Sequence, residues 1–341
     1  MRYAFVLLVA GVFLSVLPGP RPAAAQSAGR GLQLLGVEKI WDYGDYNSFT
    51  DLTWFKGYFY CTFREGKSHA GGDQGRVRVI RSRDGKKWTP VAFFEMPVKE
   101  NTVVFDMRDP KISVAHGDSL MLNIGVALYI GDKAVGMAPR VAYSGDGTHW
   151  GPAEPISIHD RWPWRPLWHG KYEYVISYRG DTNTLWLERS EDGYVFLPVT
   201  TMQVPHNQPN EVTIRFDRYN NMIALIRTGG GDRSAFLGKA KYPYTKWSYK
   251  AVGRYIGGPD LLVLAPGNYI CSGRMIIDGE PKTCVARLDG NGKMSEPLVL
   301  PSGGDNSYPG MVLRKGILWV SYYSSHEGKA SIYLAKIRLK N

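Results

Sequence analysis

One short pattern occurs three times in this chain of 341 residues. It reads Ser-x-Asp-Gly-x-x-aromatic, and its copies occupy residues 82–88, 144–150 and 190–196. An Asp-Gly pair between two apolar segments forms a hairpin turn, because the Asp side chain accepts backbone N–H bonds and the Gly adopts a positive φ. Each copy lies between two strand-like segments. The repeat therefore predicts a series of antiparallel β units.

A second periodic feature indicates how many units there are. A distinctive residue precedes a predicted strand about every 50 residues. These positions are Asp51, Arg108 or Asp109, Arg165, Glu211, Asp260 and Tyr308. Six units of four strands each predict an all-β fold, a six-bladed β-propeller with four-stranded antiparallel blades. Since the last unit has room for only three strands, we expect the N-terminal strand at 32–41 to close the last blade.

The beginning of the chain has the pattern of a secretory signal peptide at 1–25. Met1 and Arg2 precede an apolar run, and three alanines at 23–25 provide a cleavage site. We expect an exported protein, periplasmic or extracellular after cleavage, with no membrane insertion. A flexible start at 26–32 and a single propeller domain at 33–341 complete the predicted organisation.

The formal net charge of +11 suits anionic ligands. Because basic blocks and nucleic-acid-binding motifs are absent from the sequence, we expect no nucleic-acid partner. We also expect a monomer. The histidines have no metal-ligand spacing, so neither a metal nor a cofactor is expected. Cys271 and Cys284 flank a turn-like segment and could either form a disulfide or remain free.

The six periodic residues are expected to converge, because the inner strands of a propeller begin around one mouth of its central funnel. Carboxylates and arginines around one opening cost desolvation and repulsion unless a ligand binds there. The ring therefore indicates a ligand site. For Asp51, Asp109 and Asp260 a second interpretation stays open, in which they cap strands or bridge neighbouring blades.

Two parts of the chain resemble a known enzyme family. The three turns are similar to the Asp-boxes of sialidases and related bacterial neuraminidase repeat proteins. Residues 306–323 resemble the C-terminal sialidase segment that contains the catalytic tyrosine. The resemblance implies an exo-acting glycoside hydrolase that removes a terminal acidic sugar (sialic, ulosonic or uronic) from a glycan substrate.

The same resemblance implies roles for individual residues. Tyr308 matches the nucleophile, and Glu211 matches the carboxylate that takes its proton. Arg227 and Arg274 match arginines that bind the substrate carboxylate. Asp73 matches the acid/base aspartate on a loop of the first blade. A phenol has an ordinary pKa of about 10 and attacks only if a neighbouring base accepts its proton, so this pairing is chemically consistent.

The chain departs from the sialidase pattern in its first blade. Sialidases carry an arginine in a Phe-Arg-Ile-Pro motif there, whereas this chain has Phe-Thr-Asp-Leu at 49–52. Arg64, Arg108 or Arg165 could replace the missing guanidinium. His69 is a rival to Asp73 as the acid, since histidine exchanges protons near neutral pH.

Several other interpretations remain open from the sequence alone. Glu211 could act with Asp51 or Asp260 as a carboxylate pair, the protein could be a polysaccharide lyase, or it could bind glycans without catalysis. The segment with His69 and Asp73 could be a solvated glycine-rich hairpin. Tryptophans at 162, 164 and 168 could form either a sugar platform or wedges between blades.

Overall fold

The structure is a computed structural model that describes residues 31–71, 74–97, 103–180, 182–205 and 208–340. Within these ranges it consists of strands β1 to β25, without helices, in six antiparallel sheets. The predicted all-β six-bladed propeller is thus confirmed. Among the described residues, no helix is long and apolar enough to cross a membrane.

The strands are numbered along the chain, and the blades in the order of their inner strands. Blade 1 contains β2 (Tyr46–Phe55), β3 (Tyr58–Gly66), β4 (Arg76–Ser82) and β5 (Thr89–Phe94). Blade 2 contains β6 (Val104–Ala115), β7 (Ser119–Ile130), β8 (Lys133–Met137), β9 (Arg140–Ser144) and β10 (Glu154–Pro155). Blade 3 contains β11 (Trp162–His169), β12 (Tyr172–Tyr178), β13 (Leu185–Ser190) and β14 (Phe196–Met202). Blade 4 contains β15 (Pro209–Phe216), β16 (Met222–Thr228), β17 (Phe236–Ala240) and β18 (Trp247–Ala251). Blade 5 contains β19 (Gly257–Ala265), β20 (Asn268–Ile277), β21 (Glu280–Asp289) and β22 (Leu298–Val299). Blade 6 contains β23 (Asn306–Arg314), β24 (Ile317–Ser324), β25 (Ser331–Leu339) and, from the other end of the chain, β1 (Leu32–Trp41).

Strand β1 closes the ring as predicted. It pairs antiparallel with β25, from Leu32 opposite Leu339 to Trp41 opposite Ile332. Blade 6 therefore holds both ends of the described chain, and this pairing removes the free edge that β25 would otherwise present. Leu32, the last residue of the predicted flexible start, is the buried first residue of β1.

The three repeated turns have the same hydrogen bonds. In each one, the Ser hydroxyl oxygen accepts the N–H of the Gly, at 2.9 Å for Gly85, 2.8 Å for Gly147 and 2.9 Å for Gly193. The Asp carboxylate accepts the next two N–H groups of the turn. The turns join the two outermost strands of the sheet in blades 1, 2 and 3, which explains why one seven-residue pattern occurs once in each of these blades.

Strands β2, β6, β11, β15, β19 and β23 contact one another in a closed ring and are the inner strands of the six blades. Each has a register shift near its beginning. Asp109, Arg165 and Tyr308 occupy the first extra position of their bulges with left-handed φ values of 50°, 46° and 50°. We call the end of the central channel that these bulges surround the funnel.

The bulges correct the predicted ring. The shift in β2 lies between Ser48 and Asp51, and the shift in β19 lies between Gly257 and Asp260. Asp51 and Asp260 therefore follow their bulges, whereas Tyr308 lies within its own. The prediction that all six periodic residues are structurally equivalent is wrong, because equal sequence spacing does not reveal a shift of two residues.

The cysteines are free thiols. Cys271 pairs with Ala286 across β20 and β21, and Cys284 pairs with Gly273, so the two cysteines are not opposite each other. All three cysteines are buried and unbonded to one another. The disulfide that the sequence left open between Cys271 and Cys284 is absent from the structure.

Candidate active site

Tyr308 lies at the floor of the funnel, on the bulge that begins β23. Its ring is nearly buried, and it packs edge-on against Phe49 at 5.0 Å and Trp164 at 5.6 Å between ring centroids. These aromatic contacts leave the phenol few conformations. The hydroxyl group therefore has a fixed direction toward blade 4.

The Tyr308 hydroxyl donates a hydrogen bond of 2.6 Å to Oε1 of Glu211. The same oxygen lies 2.5 Å from Nη1 of Arg227, and the other carboxylate oxygen accepts the backbone N–H of Gly258 at 2.7 Å. A carboxylate held by three donors is a positioned proton acceptor. The structure thus brings together three residues that the sequence resemblance links: Tyr308, Glu211 and Arg227.

The pKa values of this pair move in opposite directions. Burial raises the pKa of Tyr308 well above 10, and the nearby charges of Glu211 and Asp109 raise it further. Burial alone would raise the pKa of Glu211, but the Arg227 charge and the hydrogen bonds to the carboxylate lower it below 4.5. In the free protein the proton therefore stays on the phenol and Glu211 is ionised.

Two charged residues of β6 lie beside this pair. Burial raises the pKa of Asp109 above its ordinary 3.8, against the opposing charges of Lys111 and Arg108. Burial lowers the pKa of Lys111 to about 8. The Lys111 ammonium lies 4.6 Å from the centroid of the Trp164 ring and 5.8 Å from that of Tyr308. Lys111 is a buried cation under the funnel that the sequence did not single out.

Three arginines on three blades expose part of their side chains. The exposed fractions are 21% for Arg108, 22% for Arg227 and 19% for Arg274. Arg108 lies 3.8 Å from Asp106, and the guanidinium of Arg274 binds the carbonyl oxygen of Asn306. Guanidinium groups at these positions are the cations that a ligand in the funnel can reach.

Arg64 has a different environment from these three. Its side chain is completely buried, with Nε 2.8 Å from Asp106 Oδ1 and Nη1 donating to the carbonyl of Ser68 at 2.6 Å. A Cβ on Gly66 would lie 2.2 Å from Arg64 Nη1, and one on Gly75 would lie 2.4 Å from its Nε. The arginine connects blade 1 to blade 2, and the two glycines leave space for it.

Arg165 lies on the propeller axis among carboxylates. It forms an ion pair with Asp51, donates to the carbonyl of Pro309 at 2.8 Å, and places Nε 3.6 Å from Asp260. The Asp51 carboxylate also accepts the N–H of Ile112 in blade 2. These groups are almost fully buried.

Asp260 bridges blades in the same way as Asp51. Its Oδ2 accepts the N–H of Met311 in blade 6 at 2.9 Å, and Oδ1 lies 2.7 Å from Nη2 of Arg215. Asp51 and Asp260 thus have the geometry of the second interpretation, in which carboxylates bridge neighbouring blades.

His69 lies on the rim of the funnel, in the connection between β3 and β4. Its Nδ1 is 2.5 Å from Oδ2 of Asp305, and Tyr46 donates a hydrogen bond to the same oxygen. Oδ1 of Asp305 binds Nη2 of Arg274 at 2.9 Å and the hydroxyl of Tyr323 at 2.9 Å. Sequence reasoning missed Asp305 and Tyr46, because no local pattern marks them and their partners are far away in the chain.

The remaining site predictions have different outcomes. Asp73 lies outside the described residues. Trp162 and Trp164 are buried at 4% and 0% exposure, and Trp168 donates to the sulfur of Met121, so the three are packing residues. Among the described residues, no group of three or more His, Cys, Asp or Glu side chains is arranged to hold a metal.

Comparisons with known proteins show which solved structures share this fold. No family model and no curated protein matches the chain. A crystal structure of a protein of unknown function from Dyadobacter fermentans has a TM-score of 0.77 at 17% identity, and the match covers 91% of this chain and 100% of that one. The GH93 α-L-arabinofuranosidase of Fusarium graminearum, in complex with arabinobiose, has a TM-score of 0.68 at 13% identity and covers 90% and 98%.

A sialidase is also similar in fold. The Trypanosoma rangeli sialidase in complex with sialic acid has a TM-score of 0.63 at 9% identity, covering 92% of this chain and 60% of that one. This chain therefore spans less than two thirds of the sialidase. These TM-scores show that the chain shares its six-bladed propeller fold with these proteins, at low sequence identity.

Proposed function

We propose that this protein is an exo-acting glycoside hydrolase in which Tyr308 attacks the anomeric carbon and Glu211 accepts the phenol proton. The observation that carries this proposal is the 2.6 Å hydrogen bond between the two side chains. Similar folds in an α-L-arabinofuranosidase and a sialidase support the reaction class. Since folds host many functions, the pair itself is the stronger support.

The roles of the pair follow from its electrostatics. A neutral phenol is a weak nucleophile, and the adjacent carboxylate increases its reactivity by taking the proton during attack. Arg227 and the N–H of Gly258 hold the carboxylate in place. The departing oxygen needs a proton, which the sequence resemblance assigns to Asp73.

We further propose that the sugar is terminal and acidic. Arg108, Arg227 and Arg274 present partly exposed guanidinium groups from three blades, and arginine forks bind carboxylates through two parallel hydrogen bonds. The net charge of +11 favours the approach of anionic glycans. The signal-like segment at 1–25 supports an activity outside the cytoplasm, in the periplasm or beyond the cell.

A neutral pentofuranose is the second candidate substrate. Phe49 lies at the first bulge position of β2, and the following Thr50 bonds its hydroxyl to the carbonyl of Tyr308, so this bulge supplies no cation. Arg227 and Arg274 already neutralise Glu211 and Asp305. A neutral sugar does not compete for these arginines. The similarity to an α-L-arabinofuranosidase points to arabinofuranosides within this class.

A panel of terminally acidic and neutral glycans tests the proposal. Mature protein and Tyr308→Phe are incubated with each glycan, and products are identified by mass. We expect one class of monosaccharide to be released by the wild type and no release by the variant. Tyr322→Phe is the matched control, because Tyr322 is a buried tyrosine on the neighbouring strand β24 and its hydroxyl binds the carbonyl of Pro301.

The alternatives give different outcomes. An unsaturated product would indicate a lyase. Undiminished release of the monosaccharide by Tyr308→Phe would indicate that a carboxylate pair catalyses the reaction. Sugar affinity without release across the panel would indicate a binding protein. Each of these results contradicts a tyrosine-dependent hydrolase.

A further inference from the structure

Asp305 is fixed by contacts from four side chains. Its Oδ2 is hydrogen-bonded to His69 and Tyr46, both of blade 1. Its Oδ1 accepts hydrogen bonds from Arg274 of blade 5 and Tyr323 of blade 6. The carboxylate is three-quarters buried, while 46% of the His69 side chain is exposed. The partly exposed imidazole of His69 is therefore bound by a carboxylate, Asp305, whose own position is fixed by three other side chains.

His69 is close to the proposed nucleophile. The Phe49 ring lies 4.8 Å from the His69 ring and 5.0 Å from the Tyr308 ring, measured between centroids. The apolar Phe49 ring therefore packs against both the His69 ring and the Tyr308 ring. Because the Asp305 carboxylate binds Nδ1, the nitrogen left to meet a substrate is Nε2.

We propose that His69 is the general acid and base of the reaction, acting through Nε2, and that Asp305 is its positioning residue. This inference rests on the proposed glycosidase function and assigns to His69 the role that the sequence resemblance gives to Asp73. A side chain whose second nitrogen is bound by a carboxylate is the arrangement by which proteins orient a histidine for proton transfer.

In the first step, Tyr308 Oη forms a bond to the anomeric carbon while the bond from that carbon to the leaving oxygen breaks. The phenol proton passes to Glu211. The proton on His69 Nε2 passes to the leaving oxygen, which departs as an alcohol. The imidazole is then neutral, and the sugar is covalently attached to Tyr308.

In the second step, water attacks the anomeric carbon and the bond to Tyr308 Oη breaks. The proton of the water passes to His69 Nε2, and the proton on Glu211 returns to the phenolate. All groups then have their starting charges. No oxidant, reductant or metal enters either step.

The Asp305 carboxylate that holds the imidazole is ionised. Burial would raise the pKa of Asp305, but its bonds to His69 and Tyr46 and the Arg274 charge lower it to about 2, so it stays ionised. The cation of Arg274 is paired with the other oxygen of Asp305.

A leaving-group series tests the assignment. Wild type and His69→Gln are compared on the natural glycan and on aryl glycosides of the same sugar with increasingly acidic phenols. General acid catalysis contributes about 10²–10⁴-fold, and an acidic phenol departs without a proton. We therefore expect kcat/KM of the variant to fall by about that factor on the glycan and to approach the wild-type value on the most acidic phenol.

The chain offers a matched control. His149 also bonds an aspartate through Nδ1, 2.6 Å from Asp146, but it lies on an exposed turn at the other end of blade 2. His149→Gln should have wild-type activity on every substrate. Asp305→Asn should keep the fold and lower kcat more than it raises KM, whereas a merely structural role for Asp305 would not separate the two constants.

The inference and the proposed function fail separately. If Tyr308→Phe is inactive and Asp73→Asn shows the leaving-group pattern while His69→Gln does not, the donor is Asp73 and only this inference is overturned. A uniform loss across the aryl series in His69→Gln overturns it as well. If Tyr308→Phe remains active, the proposed function itself is wrong.

Discussion

Glu173 shows how strongly burial can act on a single residue. It lies on β12 with no exposed surface, and its nearest donor is Nδ2 of Asn123 at a weak 3.5 Å. Burial raises the pKa of this carboxyl group well above 4.5. No cation among its described contacts compensates, in contrast to Glu211, whose pKa is lowered by Arg227. The two buried glutamates differ because only one has a guanidinium beside it.

We predict that Glu173→Gln makes stability less dependent on pH. Below about pH 4.5 the glutamate is protonated in both the folded and the unfolded chain, so its ionisation does not lower the free energy of unfolding. As pH rises, only the unfolded chain ionises, and the free energy of unfolding falls by about 1.4 kcal/mol per pH unit until the folded pKa is reached.

Urea unfolding from pH 4 to 8 measures this effect. The difference between Glu173→Gln and wild type should grow with pH, whereas Glu191→Gln, at an exposed position, should follow the wild type. Parallel pH profiles for Glu173→Gln and wild type would show that the folded carboxyl group is ionised.

At the residue scale, the sequence resemblance linked Tyr308 with Glu211, and the structure brings the two side chains into contact. The link could be predicted because each residue lies in a short segment that resembles a family motif. Asp305 and its partners were not found, because the His69 contact joins residues 236 positions apart and exists only after blades 1 and 6 meet. The sequence placed Arg64 among the possible ligand contacts, whereas in the structure its buried guanidinium forms an ion pair that joins two blades.

The repeated turn is the element that defines this chain. Its glycine adopts φ values of 72°, 76° and 80° at Gly85, Gly147 and Gly193. The space beyond each glycine is filled by an aromatic ring of the preceding blade. These rings are Trp319, Tyr60 and Tyr143. The turn therefore closes a hairpin and also contacts the neighbouring blade.

We predict that Gly147→Ala destabilises the protein by more than the cost of a left-handed alanine. That cost is about 1–2 kcal/mol. In addition, a Cβ at this position would lie 2.1 Å from the Tyr60 hydroxyl. Gly117→Ala is the matched control, since its φ of 78° is similar and nothing lies within 4 Å of its Cβ position.

Thermal unfolding of the two variants measures the difference between them. A larger decrease in Tm for Gly147→Ala indicates the contact between blades. Equal decreases would mean that the turn serves its own hairpin only.

The strands were predictable because apolar strand-like segments and the turn residues between them are signals contained in a few neighbouring residues. The inner-strand bulges were not, since a register shift depends on the neighbouring strand. For this reason the sequence placed Asp51 and Asp260 in the same ring as Tyr308, although both lie beyond their bulges.

For the whole molecule, Arg165 is the residue that joins the blades on the axis. It extends from blade 3 to Asp51 of blade 1, Asp260 of blade 5 and the carbonyl of Pro309 in blade 6. One side chain therefore joins the inner strands of four blades, its own included. The count of six blades and the closure by β1 were predictable from spacing, but this central contact was not.

We predict that Arg165→Met destabilises the propeller by about 3–5 kcal/mol, because it leaves the buried Asp51 carboxylate without its ion-pair partner, whereas Asp260 keeps Arg215. Lys171→Met is the control, since it removes a cation from a largely exposed pair with Glu191. The urea midpoints of the two variants give the comparison, and the control should match the wild type. A stable Arg165→Met protein that has lost only its activity would instead make Arg165 a ligand contact.

The covalent intermediate is the most direct test of a tyrosine-dependent glycosidase. The wild-type protein is incubated with a fluorinated, activated form of the sugar that the panel identifies, and its peptides are analysed by mass. We expect one sugar on the peptide that contains Tyr308 and none in Tyr308→Phe. A sugar attached to Glu211 or Asp109, or turnover without any adduct, would contradict this account.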